Sequence, residues 1–122
     1  MRGRNKILSI TAIITLLCFS CEEVLEPALN NKQVVLLAPV DNLVSGNASQ
    51  VFYWETIDGA TKYQLQIVSP KFDSIVQLIA DTTVPINQFP LNLSKGSYQW
   101  KVRAINNSTS SNYSAIRRLV IQ

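Results

Sequence analysis

The sequence predicts a single all-β domain, a sandwich of seven short strands, preceded by an export signal. From residue 33 onward, polar and apolar residues alternate with the two-residue period of a half-buried strand, and no segment has a convincing helical period. Turn residues recur at a spacing of about 8–12 residues, which is typical of a sandwich. The length of 122 residues fits one small domain and excludes a two-domain enzyme of ordinary size.

The first twenty residues have the three parts of an export signal. Three basic residues precede thirteen uncharged, mostly apolar residues that end at Phe19, and the small residue Ser20 follows. The apolar part of such a signal has about 7–15 residues, whereas a membrane-spanning helix needs about 20. Residues 1–20 are therefore predicted to be a signal peptide that is cleaved before Cys21.

The residues around this cleavage site resemble the signal of bacterial lipoproteins, in which the cysteine after the cut receives lipid. Ser20-Cys21 matches that pattern, and Cys18 replaces the usual leucine, as in the looser signals of Bacteroidetes-type lipoproteins. In that group, acidic residues at the positions of Glu22-Glu23 direct export to the cell surface. The resemblance implies that lipid on Cys21 anchors the protein in the outer membrane, exposed at the cell surface. Each buried CH₂ group of an acyl chain contributes about 0.8 kcal/mol to such an anchor.

Residues 21–33 are predicted to be the lipidated cysteine and a tether. The stretch from Glu22 to Lys32 shows neither strand alternation nor a sustained helical face, and it contains Pro27 and Asn30-Asn31. The folded domain is accordingly predicted to comprise residues 34–122.

Seven strands are predicted within this domain, each bounded by turn residues. The clearest are the third and sixth, which alternate strictly, whereas Pro85 and Pro90 interrupt the fifth. The predicted bounds are 34–37, 50–55, 61–68, 72–79, 84–91, 97–105 and 115–121.

Alternation also predicts which side chains form the core. In the second strand, Phe52 and Trp54 share the inward side and Tyr53 faces outward, because successive side chains of a strand point to opposite faces. The other predicted inward residues are Tyr63, Leu65, Ile67, Tyr98, Trp100, Val102, Ala104, Leu119 and Ile121. The predicted outward residues of the third and sixth strands are Lys62, Gln64, Gln66, Gln99, Lys101 and Arg103.

This pattern resembles the fibronectin type III family of immunoglobulin-like sandwiches over residues 34–122. The matching features are a proline in the first strand, a tryptophan ending the second, Gly-Ala before a tyrosine in the third, and Tyr-x-Trp-x-Val-x-Ala in the sixth. In this sequence they are Pro39, Trp54, Gly59-Ala60, Tyr63 and Tyr98 to Ala104. The version looks like those of bacterial surface lipoproteins, including parts of polysaccharide-utilisation systems. The resemblance implies that the Tyr98 hydroxyl bonds to backbone a few residues upstream.

The sequence offers little chemistry for catalysis. Histidine is absent, which removes the usual general base near neutral pH and the usual zinc ligand. The acidic residues are scattered, and no phosphate-binding loop, nucleophile motif or metal-ligand spacing is present. Cys18 and Cys21 have the C-x-x-C spacing of redox proteins, but no βαβ pattern follows them. We expect no enzymatic activity, no cofactor and no metal.

The net charge of +3 belongs to the signal peptide. Arg2, Arg4 and Lys6 account for all of it, and the chain from Cys21 to Gln122 has eight basic and eight acidic residues, a net charge of zero. The pI of about 9.0 therefore gives no support to a nucleic-acid partner, and none is expected.

Three outward aromatic residues, Tyr53, Phe72 and Tyr113, are the candidate binding residues. Such side chains stack on sugar rings or anchor protein partners. The alternatives are that isolated exposed apolar residues have no ligand, and that Tyr113 packs under the last loop. The polar loop 106–112 has a composition typical of recognition loops and equally of mobile ones.

Two triplets resemble the O-glycosylation site of the Bacteroidetes general system. They are Asp73-Ser74-Ile75 and Asp81-Thr82-Thr83, and they imply Ser74 and Thr82 as glycosylated residues. Because the pattern is short, ordinary strand-edge residues explain it equally well.

Two functions remain open. The first is a non-catalytic accessory module of a surface lipoprotein that binds a glycan or a protein partner. The second is a structural subunit or spacer of a larger outer-membrane assembly, with no ligand of its own. A row of exposed aromatic residues on one sheet face would favour glycan binding, and a broad apolar patch would favour a protein partner.

Overall fold

The computed structural model describes residues 26–122, so the predicted signal peptide and Cys21 lie outside the described residues. These residues form eight strands: β1 Leu36–Ala38, β2 Leu43–Ser45, β3 Ser49–Trp54, β4 Lys62–Lys71, β5 Ser74–Val84, β6 Gln88–Asn92, β7 Gly96–Ile105 and β8 Arg117–Ile121. The strands form a three-stranded sheet in the order β1-β3-β6 and a five-stranded sheet in the order β2-β8-β7-β4-β5. The predicted all-β sandwich is confirmed. Within residues 26–122, no helix has the length and apolarity to cross a membrane.

The structure has one strand more than predicted, because the chain changes sheets after β1. Asn42, with a φ of 65°, turns the chain, and β2 then pairs in parallel with β8 in the five-stranded sheet. Three residues between two polar turns are too few to show alternation, so the pattern did not indicate β2.

The β4–β5 hairpin also differs from the prediction. Both strands are longer than predicted, and the turn lies at Phe72-Asp73, within the predicted fourth strand. The pairing shifts register between Ile67 and Val68 and again between Ser69 and Pro70. Each irregularity breaks the two-residue period, which is why alternation misplaced this hairpin. The predicted fifth strand, 84–91, divides into the end of β5 and the separate strand β6.

The core lies between the sheets and contains all the predicted inward residues, together with Leu29, Val34, Leu36 and Leu93. Phe52, Trp54 and Trp100 are fully buried. The rings of Phe52 and Trp100 meet edge to face with centroids 4.8 Å apart, and those of Trp54 and Tyr63 do so at 5.7 Å. Within residues 26–122 the indole N–H of neither tryptophan has an acceptor, so burial of apolar surface accounts for their contribution.

The tyrosine corner expected at Tyr98 is confirmed. The buried Tyr98 hydroxyl donates a hydrogen bond to the backbone carbonyl of Ser94 at 2.6 Å. This bond ties the turn before β7 to the strand itself.

Residues 26–33, predicted as part of the tether, instead pack on the domain. Leu29 is fully buried in the main hydrophobic cluster, and its N–H donates to the Thr109 hydroxyl at 2.9 Å. The Asn106 amide donates to the carbonyl of Pro27 at 2.8 Å. The tether prediction is therefore wrong for these residues, and the folded domain includes residues 26–33. The stretch around Leu29 has no sustained alternation, so the pattern did not indicate its burial.

The loop between β3 and β4 receives this segment at Gly59. Gly59 has a φ of 89°, and a Cβ added there would overlap Cγ of Pro27. Glycine thus allows both the left-handed turn and the close approach of the N-terminal segment.

The polar loop 106–112 is fixed by hydrogen bonds rather than open. Asn106 is buried, and its side-chain oxygen accepts hydrogen bonds from the N–H groups of Ser108 and Thr109. The Ser111 hydroxyl accepts from the N–H of Ala104 at 2.8 Å. Because these polar groups are used within the domain, the loop is not free to adapt to a ligand.

Candidate functional site

The two sheets differ in where charge lies. The strands of the three-stranded sheet contain no charged residue, whereas those of the five-stranded sheet contain six basic residues and one acidic residue, a net charge of +5. The charged residues are Lys62, Lys71, Asp81, Lys101, Arg103, Arg117 and Arg118. The mature chain is thus predicted to have a net charge of zero, although the strands of one of its sheets are strongly basic.

The cation cluster on the outer face of this sheet consists of Lys101, Arg103, Phe72 and Tyr113. Lys101 and Arg103 are two residues apart on β7 and share its outward side. The Lys101 Nζ lies 4.5 Å from the centroid of the Phe72 ring and 4.3 Å from that of Tyr113. The Arg103 guanidinium lies 5.0 Å from the same Tyr113 centroid. Contacts of this kind contribute about 0.5–1 kcal/mol each at exposed sites.

Two irregular segments bring the rings over the sheet. Phe72 comes from the β4–β5 turn, where its N–H donates to the side-chain oxygen of Gln99 on β7 at 2.9 Å. Tyr113 comes from the β7–β8 loop, where the neighbouring Ser114 hydroxyl accepts a hydrogen bond from the N–H of Val102. The sheet and the loops together therefore fix the cluster.

Three adjacent strands hold the Arg103 side chain in place. Gln64 on β4 lies directly across from Arg103, and its side-chain oxygen accepts from Arg103 Nε at 2.8 Å. The Gln64 amide nitrogen donates to Asp81 Oδ1 on β5 at 2.9 Å. Within residues 26–122, the two terminal nitrogens of Arg103 make no hydrogen bond, and the one ion pair joins Arg118 to Asp41.

The structure brings together two of the three predicted binding aromatics. Phe72 and Tyr113 are half-buried, and cations lie over their rings, so they hold charged groups rather than offer bare faces for stacking. Tyr53 lies alone on the outer face of the three-stranded sheet and is 41% exposed. No row of exposed aromatic residues forms on either sheet within the described residues.

A shallow groove of about 460 Å³ continues from the cluster along the same outer face. The residues that line it include Val44, Pro70, Ser97, Gln99, Arg118 and Val120. Gln99 belongs to both features, since its side chain also holds Phe72. A ligand bound along β7 would therefore meet the cluster and the groove in succession.

The two predicted glycosylation residues lie on β5, the free edge of the five-stranded sheet. Ser74 is exposed at the first position of this strand. Thr82 is half-buried and pairs with the core residue Leu65, on the inward side of the strand. The same edge exposes three apolar residues, Ile75, Val76 and Leu78, of which Val76 is 82% exposed.

Among residues 26–122, no three side chains of the acidic or cysteine type come together to hold a metal ion. The cation cluster places two positive charges on the outer face of the five-stranded sheet, where they attract anions.

Part of this site was visible in the sequence. The outward alternation of β7 placed Lys101 and Arg103 on one face, two residues apart, but gave no reason to pair them with a ring. Phe72 and Tyr113 reach them from irregular segments, and no period describes such segments. The Gln64 contact with Arg103 depends on strand order and register, which alternation does not specify.

No protein-family model matches this sequence, and no curated protein is significantly similar to it. Among solved structures, a human fibronectin type III domain matches 76% of this chain and 75% of its own length, with 18% identity and a TM-score of 0.53. The fibronectin(III)-like modules of Clostridium thermocellum CbhA match 73% of this chain and 95% of their own, with 12% identity and a TM-score of 0.52.

A third match is to a multi-modular enzyme. The chitinase ChiW of a Paenibacillus strain, described as a cell-surface-expressed multi-modular machinery, matches 83% of this chain over 9% of its own length. The identity is 15% and the TM-score 0.51. Fibronectin type III-like modules thus occur as small parts of larger multi-modular proteins, and residues 26–122 have the fibronectin type III fold.

Proposed function

We propose that this protein is a lipoprotein of the outer-membrane surface, a non-catalytic accessory module that binds a glycan or a protein partner. The cation cluster is the single observation that supports binding most directly. It combines two charged side chains with two rings on an otherwise open sheet face, and the described residues supply no carboxylate to neutralise either charge.

The proposed anchor also favours a sheet face as the binding surface. Cys21 precedes Glu26 by five residues, and five extended residues span at most about 18 Å. The sandwich end that contains Gly59 and Asn106 is already covered by residues 26–29. With lipid on Cys21, this end lies near the membrane, so the outer sheet faces meet ligands from the medium.

The anchor is tested by metabolic labelling with palmitate. We expect the wild type and Cys18→Ser to incorporate label, and Cys21→Ser to lose it, because the thiol of Cys21 is the proposed acceptor. Protease treatment of intact cells then tests surface exposure. Label retained in Cys21→Ser, or full protection of the protein from protease, would contradict the proposed localisation.

Binding is tested by isothermal titration of the full chain, in mild detergent, against a panel of purified polysaccharides. A pull-down from native membranes tests for a protein partner in parallel. The proposal expects a saturable ligand in one of the two assays. Failure of both would contradict a binding module.

Glycosylation of Ser74 and Thr82 remains a separate proposal about the β5 edge. A glycan at exposed Ser74 would shield backbone groups that a free edge leaves available for pairing with other chains. Intact-mass analysis of the native protein, with Ser74→Ala and Thr82→Ala as comparisons, tests it. A mass explained by peptide and lipid alone would rule it out.

The alternative function, a structural subunit of an outer-membrane assembly, is favoured by the apolar β5 edge. An edge strand with exposed Val76 is a surface through which such a subunit would be held. Cross-linking from Val76→Cys in native membranes would capture a large outer-membrane protein if this alternative is correct. The same variant would remain uncross-linked if the chain acts as an independent binding module.

A further inference from the structure

We propose that Arg103 and Lys101 form a binding site for the carboxylate groups of an acidic glycan. This inference rests on the proposed function and narrows it to a ligand class and to two residues. Three features support it: the charge of the cluster, the fixed orientation of Arg103 and the shape of the sheet face around them.

The positive charge of the cluster is not compensated by the described residues. Lys101 Nζ and the Arg103 guanidinium lie within 5.0 Å of one ring centroid, so the two charges are less than about 10 Å apart. That separation is comparable to the Debye length of about 8 Å at physiological salt, so solvent ions screen their repulsion only in part. An anion bound at either cation lowers this repulsion.

The guanidinium of Arg103 is held in a fixed orientation. Tyr113 supports one face of its guanidinium, and Gln64 accepts a hydrogen bond from its Nε. Both terminal nitrogens remain without a partner among residues 26–122. A guanidinium held in this way binds a carboxylate through two parallel hydrogen bonds at little further cost in side-chain entropy.

The chain itself does not fill this site. Asp81 is the one acidic residue in the strands of this sheet, and its contact is with the Gln64 amide rather than with a cation. Gln64 therefore acts as a spacer that keeps the carboxylate of Asp81 from pairing with Arg103. The anion expected at the site comes from another molecule.

The outer face of the five-stranded sheet has a shape that fits an extended ligand. From Arg103 to Ser97, β7 runs about 20 Å at about 3.3 Å per residue, past Lys101 and Gln99 into the groove of about 460 Å³. A repeating acidic polysaccharide can place one carboxylate at the cations and a neighbouring sugar ring in this groove. A short acidic peptide matches the charge but has no ring to place there.

The test is isothermal titration of the full chain in nonionic detergent with oligogalacturonate, whose sugar units each carry a carboxylate. Its methyl ester is the matched neutral probe. We expect saturable binding of the acid, at least tenfold weaker binding of the ester, and at least a tenfold loss for Arg103→Gln and for Lys101→Gln.

Two control variants separate a built site from general attraction. Lys62→Gln removes one positive charge from the same outer face, at an exposed position that belongs to neither the cluster nor the groove, so affinity should change less than twofold. Gln64→Leu leaves the charge intact but releases Arg103, so affinity should fall about threefold to fivefold. Circular dichroism checks that each variant is folded.

Each unfavourable result has a distinct meaning. Equal binding of the acid and its ester, unaffected by the cluster variants, would overturn the carboxylate site and leave glycan binding intact. Equal loss in Lys62→Gln, or equally tight binding of polyglutamate or DNA, would overturn the site as one specific for a glycan. Binding of neither oligosaccharide, together with capture of a protein from native membranes, would overturn the glycan inference and leave the protein-binding form of the proposed function.

Discussion

The two sheets share one core but have different outer faces. The strands of the three-stranded sheet carry no charge, and the outer face of that sheet exposes Val51 and Tyr53. The five-stranded sheet carries a net charge of +5 in its strands and holds the cation cluster, the groove and the free β5 edge. The groups that are proposed to contact a ligand therefore lie on the five-stranded sheet.

This difference arises from how the strands are bordered. In the five-stranded sheet, the β4–β5 turn and the β7–β8 loop fold back over the outer face and deliver Phe72 and Tyr113 to it. The three-stranded sheet has no corresponding pair of rings over cations in the described residues. The outer face that contains the cation cluster is thus formed by loops packed on a regular sheet. Stable scaffolds commonly position functional groups on loops in this way.

The largest expected effect tests whether the two sheets share the core equally. Trp54→Ala, in the three-stranded sheet, and Trp100→Ala, in the five-stranded sheet, should each lower the free energy of unfolding by about 3–5 kcal/mol, because both rings are fully buried. Urea unfolding followed by circular dichroism measures both. A loss below about 1 kcal/mol for either tryptophan would mean that its sheet does not depend on the common core.

The next effect concerns the N-terminal segment that closes one end of both sheets. Leu29→Ala should cost about 2–5 kcal/mol, because the side chain is fully buried in the main cluster. Val35 provides a control, since its side chain is 52% exposed and Val35→Ala should change stability by about 0.5 kcal/mol, well below the cost at Leu29. If thermal unfolding shows the same small loss of stability for Leu29→Ala as for Val35→Ala, residues 26–33 act as a tether after all.

Two adjacent arginines of β8, Arg117 and Arg118, allow a comparison between a contact that joins the two sheets and an exposed ion pair. Arg117 donates hydrogen bonds to the carbonyl oxygens of Leu36 at 2.7 Å and Pro39 at 2.8 Å, and so joins the two sheets. Arg117→Met should cost about 1.5–3 kcal/mol, in the range of a hydrogen bond to a charged group. Arg118→Met, which loses an exposed ion pair of 3.7 Å with Asp41, should cost about 1 kcal/mol or less. The reverse order in urea unfolding would contradict the bridging role of Arg117.

The smallest effect is expected at the tyrosine corner of the five-stranded sheet. Tyr98→Phe keeps the buried ring but removes the hydrogen bond to the Ser94 carbonyl, and should cost about 0.5–1.5 kcal/mol. A difference in urea midpoint at constant slope measures it. An unchanged midpoint would mean that the hydroxyl contributes nothing to stability.

The sandwich and its core were predictable because alternation reports burial directly. Phe52, Trp100 and Leu65 are inward in the sequence pattern and fully buried in the structure. What alternation did not report has physical causes. β2 is too short to have a period, the register shifts at Val68 and Pro70 break it, and the burial of Leu29 depends on a distant loop.

The binding surface was predictable only in part. Outward positions on β7 indicated two neighbouring cations, and outward placement indicated three candidate aromatic residues. The sequence did not show that Phe72 and Tyr113 meet those cations while Tyr53 lies on the opposite sheet. That outcome depends on long-range packing of loops, which is set by tertiary structure. Lipidation of Cys21 stays a prediction, as does glycosylation of Ser74 and Thr82.

The most direct measurement of the central claim maps the recognition face by nuclear magnetic resonance. Titration of the isotope-labelled full chain with oligogalacturonate should shift the backbone amides of Gln64, Lys101 and Arg103, and leave those of Val51 and Tyr53 unchanged. Shifts confined to the three-stranded sheet, or spread evenly over both sheets, would contradict the claim that recognition belongs to the five-stranded one.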